Sequence, residues 1–223
     1  MDIGILYIVA TPIGNLGDIT LRAVETLKKV DLVACEDTRV TKKLLDRYEI
    51  KTRVTSFFQH SKTPKIASII GALKSGQNVA LVTDAGTPGI SDPGNKLVEA
   101  VIFKNIAVIP IPGVSALTAL ISVAGIDMQK FVFLGFPPHK KGRETFFKEV
   151  TSLKYPVVYY ESPHRVLKNL ELFKSLGGDK NIILGRELTK MFEETVRGNV
   201  DEILKYFQEN PGKVKGEFTI IVY

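Results

Sequence analysis

Several stretches of the chain hold residues whose types and spacing suit chemistry on a ligand. In Val79–Gly94 an apolar run, Val79-Ala80-Leu81-Val82, breaks into Thr83-Asp84-Ala85-Gly86-Thr87-Pro88-Gly89-Ile90-Ser91-Asp92-Pro93-Gly94. The run suits a short strand buried on both faces. Three glycines and two prolines within 86–94 then end it, and glycine lets backbone come close to a ligand. Asp92 as N-cap and Pro93 at the first helical position would open a helix with Leu97, Val98, Val101 and Ile102 on its pattern. Strand, loop and helix in this order hold ligands at the carboxyl ends of strands in α/β sheets; an ordinary tight connection is the alternative.

Glu36-Asp37-Thr38-Arg39 follows the strand-like run Leu32–Cys35. Two adjacent acids there could bind a hydroxyl group or take a proton, or stabilise a helix N-terminus through its dipole. His139-Lys140-Lys141-Gly142-Arg143 has three cations in four residues, which suits phosphate contacts or a solvated turn. Glu161-Ser162-Pro163-His164-Arg165 and Gly185-Arg186-Glu187-Leu188-Thr189-Lys190 mix acids with cations after strand-like runs. For Glu161 and Arg165 a structural ion pair is the alternative. His60 sits in a polar loop, either titrating or hydrogen-bonded.

The elements that must position these residues read as follows. A chain of 223 residues, 44% hydrophobic and 24% charged, can bury a real core as one large or two small domains. No apolar run approaches the ~18 residues of a membrane span, and the N-terminus reads as a first strand, not a secretory leader. One cysteine, Cys35, excludes an internal disulfide and a multi-cysteine zinc site and fits a cytoplasmic setting. A net charge of +6 hints at an anionic partner such as nucleic acid. Strands are expected at 5–10, 32–35, 54–58, 79–82 and 106–109, alternating with helices at 20–29, 40–48, 64–74 and from 93, with Leu21, Val24 and Leu27 on one face of the first helix. Thr20 is expected to cap that helix, with Asp18 either a cap or a substrate contact. Pro110-Ile111-Pro112-Gly113 is a rigid connector, dividing the chain into 1–111 and 112–223. Ser115 caps or precedes a helix over 116–124. The second half, with strands at 131–136, 157–160, 182–184, 195–198 and 217–222 and helices at 143–153, 164–176 and 200–209, reads as a mixed or partly antiparallel α/β domain. The G-x-G-x-x-G fingerprint is absent after the first strand.

Taken in order, TPIGNLGD at 11–18, EDTR at 36–39, DAGTPGISDPG at 84–94, PGVSALTAL at 112–120, FLGFPP at 133–138, YESPHR at 160–165 and GRELTKMFEE at 185–194 resemble one family. It is the tetrapyrrole-methylase-like superfamily, and within it the bacterial small-subunit (16S) ribosomal RNA ribose 2′-O-methyltransferases that act on a cytidine. The likeness runs from 7 to 221. FFQHSK around His60 departs from the HEHN-like run of the family, whose members often carry a further C-terminal segment. The resemblance implies two α/β domains, a homodimer, and S-adenosylmethionine bound folded in an interdomain cleft without a Rossmann-type glycine fingerprint and without a metal. The partner would be 16S ribosomal RNA or the small ribosomal subunit.

On that resemblance the cofactor contacts fall to Pro12, Gly86, Thr87, Pro88, Ile90 and Ser91, to Ser115 and Ala116 at a helix start, to Leu134 and Gly135 as an apolar adenine slot, and to Glu217, Phe218 and Thr219 closing it. Burial without contact is the alternative for each. A ribose hydroxyl is a poor nucleophile, so a proton acceptor is needed; Asp37, Glu187 and Glu36 are the leading acids, with Asp18 and Glu161 also candidates. RNA contacts fall to Asn15, Asp18, Arg39, Lys140, Lys141, Arg143, Glu161, Arg165, Arg186 and Lys190. A tetrapyrrole (precorrin-type) small-molecule methyltransferase is the nearest rival, and a non-catalytic RNA-binding module a third reading.

Overall fold

A computed structural model describes residues 2–57, 63–91 and 94–223; His60, Asp92 and Pro93 lie outside the described residues. The chain divides into two units, Met1–Ser115 and Ala116–Tyr223.

The first unit is built on strands β1 (Leu6–Val9), β2 (Leu32–Cys35), β3 (Arg53–Ser56), β4 (Val79–Leu81) and β5 (Val108–Ile111). They form one parallel sheet in the order β3-β2-β4-β1-β5. Helices α1 (Leu21–Lys29), α2 (Thr38–Arg47), α3 (Thr63–Lys74) and α4 (Gly94–Ile102) make the crossovers. Steps from β1 through β2 to β3 run toward one edge and steps from β3 through β4 to β5 toward the other. Right-handed crossovers therefore send α1 and α2 to one face and α3 and α4 to the opposite face. Two cores follow: Val9, Val33, Cys35, Ala80 and Val82 pack with Ala23, Leu27 and Leu45, while Leu6, Ala34, Val79 and Leu81 pack with Ile69, Leu73, Leu97 and Val101. Because successive strand residues point to opposite faces, one four-residue run serves both cores.

Neighbouring strands β1 and β4 thus lead to helices on opposite faces. Their carboxyl ends form a topological switch point, where open α/β sheets leave room for a ligand.

The structure differs from the sequence pattern in two places here. Leu21 is 84% exposed; α1 buries Ala23, Thr26 and Leu27 instead. Thr26 joins that stripe because its hydroxyl donates to the Arg22 carbonyl at 2.7 Å, so a polar residue hides where a hydrophobicity pattern passes it over. Thr20 caps the helix as expected, its Oγ accepting the Ala23 N–H at 3.1 Å. Strand β5 lies two residues further on than its pattern suggested, with Pro110 and Ile111 pairing with Ile8 and Val9. Proline is tolerated because β5 is an edge strand, with no outer neighbour to receive an N–H.

The second unit has strands β6 (Val132–Phe133), β7 (Val157–Glu161), β8 (Asn181–Arg186), β9 (Glu194–Asn199) and β10 (Phe218–Val222), with helices α5 (Ala116–Ser122), α6 (Arg143–Ser152), α7 (Val166–Ser175) and α8 (Val200–Glu209). The sheet order is β6-β7-β10-β8-β9; β6 and β7 are parallel and the other pairs antiparallel. Every residue of the central strand β10 is buried. Phe146, Phe147, Val150, Leu170, Phe173, Ile203 and Phe207 pack against Val157, Tyr159, Ile182, Leu184 and Ile220. Asn199 and Glu202 form a reciprocal capping box that starts α8. The strand expected over 131–136 is only two residues long, because Gly135 at φ 66° turns the chain. The segment still follows β7, with Leu134 N–H donating to the Val158 carbonyl at 3.0 Å and Gly135 accepting from Tyr160 N–H at 2.8 Å.

Among the described residues no helix is long and apolar enough to cross a membrane, and no His, Cys, Asp and Glu cluster is placed to hold a metal ion.

Candidate functional site

In the first unit the loops after β1, β2, β4 and β5 are tied to one another at the switch point. Thr11 and Gly86 form an isolated antiparallel bridge, Thr11 N–H to the Gly86 carbonyl at 2.9 Å and Gly86 N–H to the Thr11 carbonyl at 3.0 Å. The buried Thr11 hydroxyl donates to the Thr83 carbonyl at 3.0 Å. The Thr87 hydroxyl donates to the Val114 carbonyl at 3.2 Å, linking the β4 loop to the chain after β5. Gly86 holds φ 84°, a left-handed conformation that costs other residues energy. Gly113 is needed for space, since an added Cβ would sit 2.9 Å from the Ala10 Cβ.

Pro12 and Pro88 are buried beside this bridge, Ser115 is buried, and Ile90 and Ser91 reach the surface. Ser91 is left-handed at φ 63°. Ile90 closes a turn over Pro88 and Gly89, while the backbone N–H groups of Thr87 and Ser91 have no protein acceptor among the described residues. These are donors for a ligand's carboxylate or hydroxyl oxygens, so the β4 loop fits a polar, hydroxyl-rich cofactor.

The acids of the β2 loop divide between two tasks. Asp37 is the N-cap of α2, its Oδ1 accepting the Arg39 N–H at 2.8 Å. The same carboxylate holds the Arg39 guanidinium, with Nη2 2.6 Å from Oδ2. Asp37 N–H in turn donates to Asp84 Oδ1 at 2.9 Å, which pins the β2 loop to the β4 loop. The Arg39 side chain, with its backbone N–H, lowers the Asp37 pKa to about 2. Glu36 is placed differently: Thr83 Oγ lies 3.5 Å from its Oε2. Asn15 caps a 3-10 turn over 16–18, its Oδ1 accepting the Gly17 N–H at 3.0 Å. Asp18 lies inside that turn and caps nothing; its Oδ2 is buried without a hydrogen-bond partner.

The sign of the Asp37 shift fixes a pH dependence. A depressed carboxyl pKa contributes stability that is fully present above the unfolded value, near 4, and is lost as pH falls through about 2. Carbon-detected NMR titration of the Asp37 carboxyl should give a midpoint near that lower value. Arg39→Ala should move it back toward the ordinary aspartate range; an unmoved midpoint would show that Arg39 is not the cause.

In the second unit the candidates form separate clusters. Glu187 and Thr189 are left-handed at φ 50° and φ 69°. Glu187 Oε1 accepts from Lys190 Nζ at 2.8 Å and from Glu217 N–H at 3.0 Å, and Lys190 also reaches Glu217 Oε2 at 2.9 Å. Burial acts to raise the Glu187 pKa, but the Lys190 ammonium and the Glu217 N–H outweigh it and the value is lowered. Arg186 is buried near Glu194, Nε to Oε2 3.5 Å. Lys213 Nζ lies 2.7 Å from Glu194 Oε1. Phe218 and Thr219 are buried in β10, and Ala116 opens α5.

Glu161 is fully buried and pairs with Arg165 at 3.3 Å, so the structural ion pair is what the fold holds. Its carboxylate also accepts from Ser162 N–H at 2.7 Å and from Asn169 Nδ2, leaving no face for RNA. Arg165 Nη1 donates to the Pro137 carbonyl at 3.0 Å, anchoring the start of the basic loop. Lys140 and Lys141 are exposed and Arg143 partly so.

Residues not singled out from the sequence complete these clusters. Thr11, Thr83 and Asp84 stitch the first unit's loops, and Asn169 and Glu194 finish the second unit's polar networks. Thr83 and Asp84 stand within the glycine-rich stretch itself, so their position was a usable signal; nothing local marked Asn169.

A doubly wound parallel sheet with a glycine-built switch point, followed by a mixed-sheet unit, defines a two-unit α/β architecture. The chain belongs to the tetrapyrrole (corrin/porphyrin) methylase family, whose profile matches residues 5–204. Its relatives include proteins named ribosomal RNA small subunit methyltransferase I. The Synechocystis protein is 47% identical over 98% of this chain and 78% of its own length, and the Bacillus subtilis protein 46% identical over 99% and 75%. Among solved structures, a cobalt precorrin-4 methyltransferase shares the fold with a TM-score of 0.71 at 18% identity, over 97% of this chain and 94% of that one.

Proposed function

We propose that the protein transfers a methyl group from S-adenosylmethionine to the ribose 2′-hydroxyl of a cytidine in small-subunit (16S) ribosomal RNA. The observation that carries this reading is identity of 44–48%, over 98–99% of this chain and 75–78% of the relatives' own length, to proteins named ribosomal RNA small subunit methyltransferase I. The same reading makes the active form a homodimer.

When bound, the cofactor supplies a methyl carbon made electrophilic by its sulfonium. The chain's own residues bind and orient. The N–H groups of Thr87 and Ser91 would hold its oxygens, with Ile90 as a further contact and Gly86, Pro12 and Pro88 shaping the loop. Ser115, Ala116, Leu134, Gly135, Glu217, Phe218 and Thr219 remain the further contacts proposed.

Glu36, 3.5 Å from Thr83 Oγ beside the β4 loop, is the acid proposed to take the hydroxyl proton. Asp37 and Glu187 have lowered pKa values and spend their oxygens on Arg39 and Lys190, and a carboxylate held in that way is a weak base near neutral pH. Asp37 then positions the β2 loop, and Glu187 and Lys190 order the loop after β8.

The test is transfer of label from tritiated S-adenosylmethionine to small ribosomal subunits, beside a precorrin as rival acceptor. Label should enter RNA and, after digestion, be found on a cytidine ribose. Glu36→Gln should cut the rate by about 10²–10⁴-fold while S-adenosylhomocysteine affinity stays near wild type. Label in the precorrin alone would establish the tetrapyrrole reading, and calorimetry without cofactor binding the non-catalytic one.

A further inference from the structure

Phe136 is a large apolar side chain left 50% exposed at the base of the most cationic loop of the second unit. Its ring is not loose. It lies 5.3 Å from the Tyr160 ring at 56°, and Tyr160 in turn meets Phe133 at 5.1 Å and 69°. The backbone is fixed on both sides: Gly135 accepts from Tyr160 N–H at 2.8 Å, and the Pro137 carbonyl accepts from Arg165 Nη1 at 3.0 Å. Arg165 is itself locked by buried Glu161. The ring is thus backed by one aromatic neighbour and open on its other side, at no further ordering cost.

The loop beside it carries uncompensated positive charge. Lys140, Lys141 and Arg143 pair with no acid among the described residues. The next acid along the chain, Glu144, is taken by Lys148 at 2.6 Å on its own helix. Gly142, at φ 87°, folds the loop back so that an added Cβ would lie 3.8 Å from Pro138 Cγ. The cations thus lie on the same short loop that Phe136 opens. A pre-set aromatic face next to unpaired cations is the combination that binds single-stranded nucleic acid: a base stacks on the ring while the cations follow the phosphates.

We propose that Phe136 is a stacking platform for one unpaired base of the RNA substrate, with Lys140, Lys141 and Arg143 on the adjoining phosphates. The inference rests on the ribosomal RNA reading and deepens it. A double helix keeps its bases stacked on one another, so the platform selects an unpaired segment. The acceptor nucleotide, or its neighbour, is then presented in single-stranded form.

The test is fluorescence anisotropy with a short labelled single-stranded RNA and its duplex, over a range of salt, on the full chain. Phe136→Ala should weaken single-strand binding by about ten-fold or more without changing the salt slope, and Phe136→Trp should restore it. Lys140→Ser and Lys141→Ser should each lower the salt slope by about 1. Duplex bound as well as single strand, or Phe136→Ala binding like wild type while its circular dichroism is native, would overturn the proposal. A change of oligomeric state in Phe136→Ala, read by sedimentation, would assign the ring to a second copy of the chain and overturn it too. Tritium transfer by the wild-type protein separates the two claims. Labelled RNA with unaltered binding by Phe136→Ala sinks only the platform, whereas no labelled RNA sinks the reading beneath it.

Discussion

Glu161→Ala is expected to lower the stability of the second unit by about 3–5 kcal/mol, the usual cost of removing one partner from a buried ion pair. Both carboxylate oxygens are spent, on Ser162 N–H and Arg165 and on Asn169. Alanine would remove the acid partner of Arg165, whose side chain is only 15% exposed, and would unpair the Asn169 amide, whose Oδ1 already has no partner. Stranding a charge costs more than the pair itself contributes, because the pair also carried its own desolvation. Glu161→Gln keeps the volume and one acceptor oxygen, so its loss should be smaller. Hydrogen exchange of β7 and β10 amides reads this directly, since their protection reports opening of that sheet. An alanine variant within about 1 kcal/mol of wild type would show that Arg165 finds water instead. The same substitution removes the carboxylate that fixes Arg165, whose Nη1 holds the Pro137 carbonyl, so the basic loop should loosen along with the sheet.

Much of the first unit was legible because its strands are short apolar runs that stop at glycine, proline or paired acids. Runs such as Val79–Val82 serve two cores and must be apolar at every position, which makes them stand out. Leu21 misled because its apolar character said nothing about which side of α1 the cap at Thr20 would present. Thr26 was missed because a threonine that bonds its own helix backbone behaves as a core residue. Pro110 read as a connector, yet on an edge strand its missing N–H costs nothing.

The candidate site was legible as a set of loops but not as a set of contacts. Asp37 and Asp84 meet only because β2 and β4 are neighbours, an adjacency set by the whole sheet and carried by no local pattern. The choice between catalytic acid and helix cap at Asp37 likewise turned on where Arg39 would fold. Glu187 and Glu217 face one another because β8 and β10 pair in one register, which neither segment reveals alone.

Gly216→Ala is expected to cost roughly 3 kcal/mol or more, for two separable reasons. Gly216 sits at φ 83°, where an alanine incurs about 1–2 kcal/mol of backbone strain. Its added Cβ would also lie 2.2 Å from Glu187 Cδ and 2.3 Å from Cγ. Glu187 cannot simply swing aside, because Lys190 and the Glu217 N–H hold its Oε1; displacing it gives up charge-assisted hydrogen bonds worth about 1.5–3 kcal/mol each. A double-mutant cycle separates the two. In a Glu187→Ala background the collision is gone, and Gly216→Ala should then cost only the strain, about 1–2 kcal/mol. Equal costs in both backgrounds would show that Glu187 does not resist the new methyl group. The coupling also bears on the proposed site. With Glu187 pushed away, Lys190 keeps only its bond to the exposed Glu217 carboxylate. The segment Glu217–Thr219 then loses the contact that pins its first residue to the loop after β8, so cofactor affinity in Gly216→Ala should fall along with stability, whereas a surface substitution of equal stability cost elsewhere in the unit should leave it unchanged.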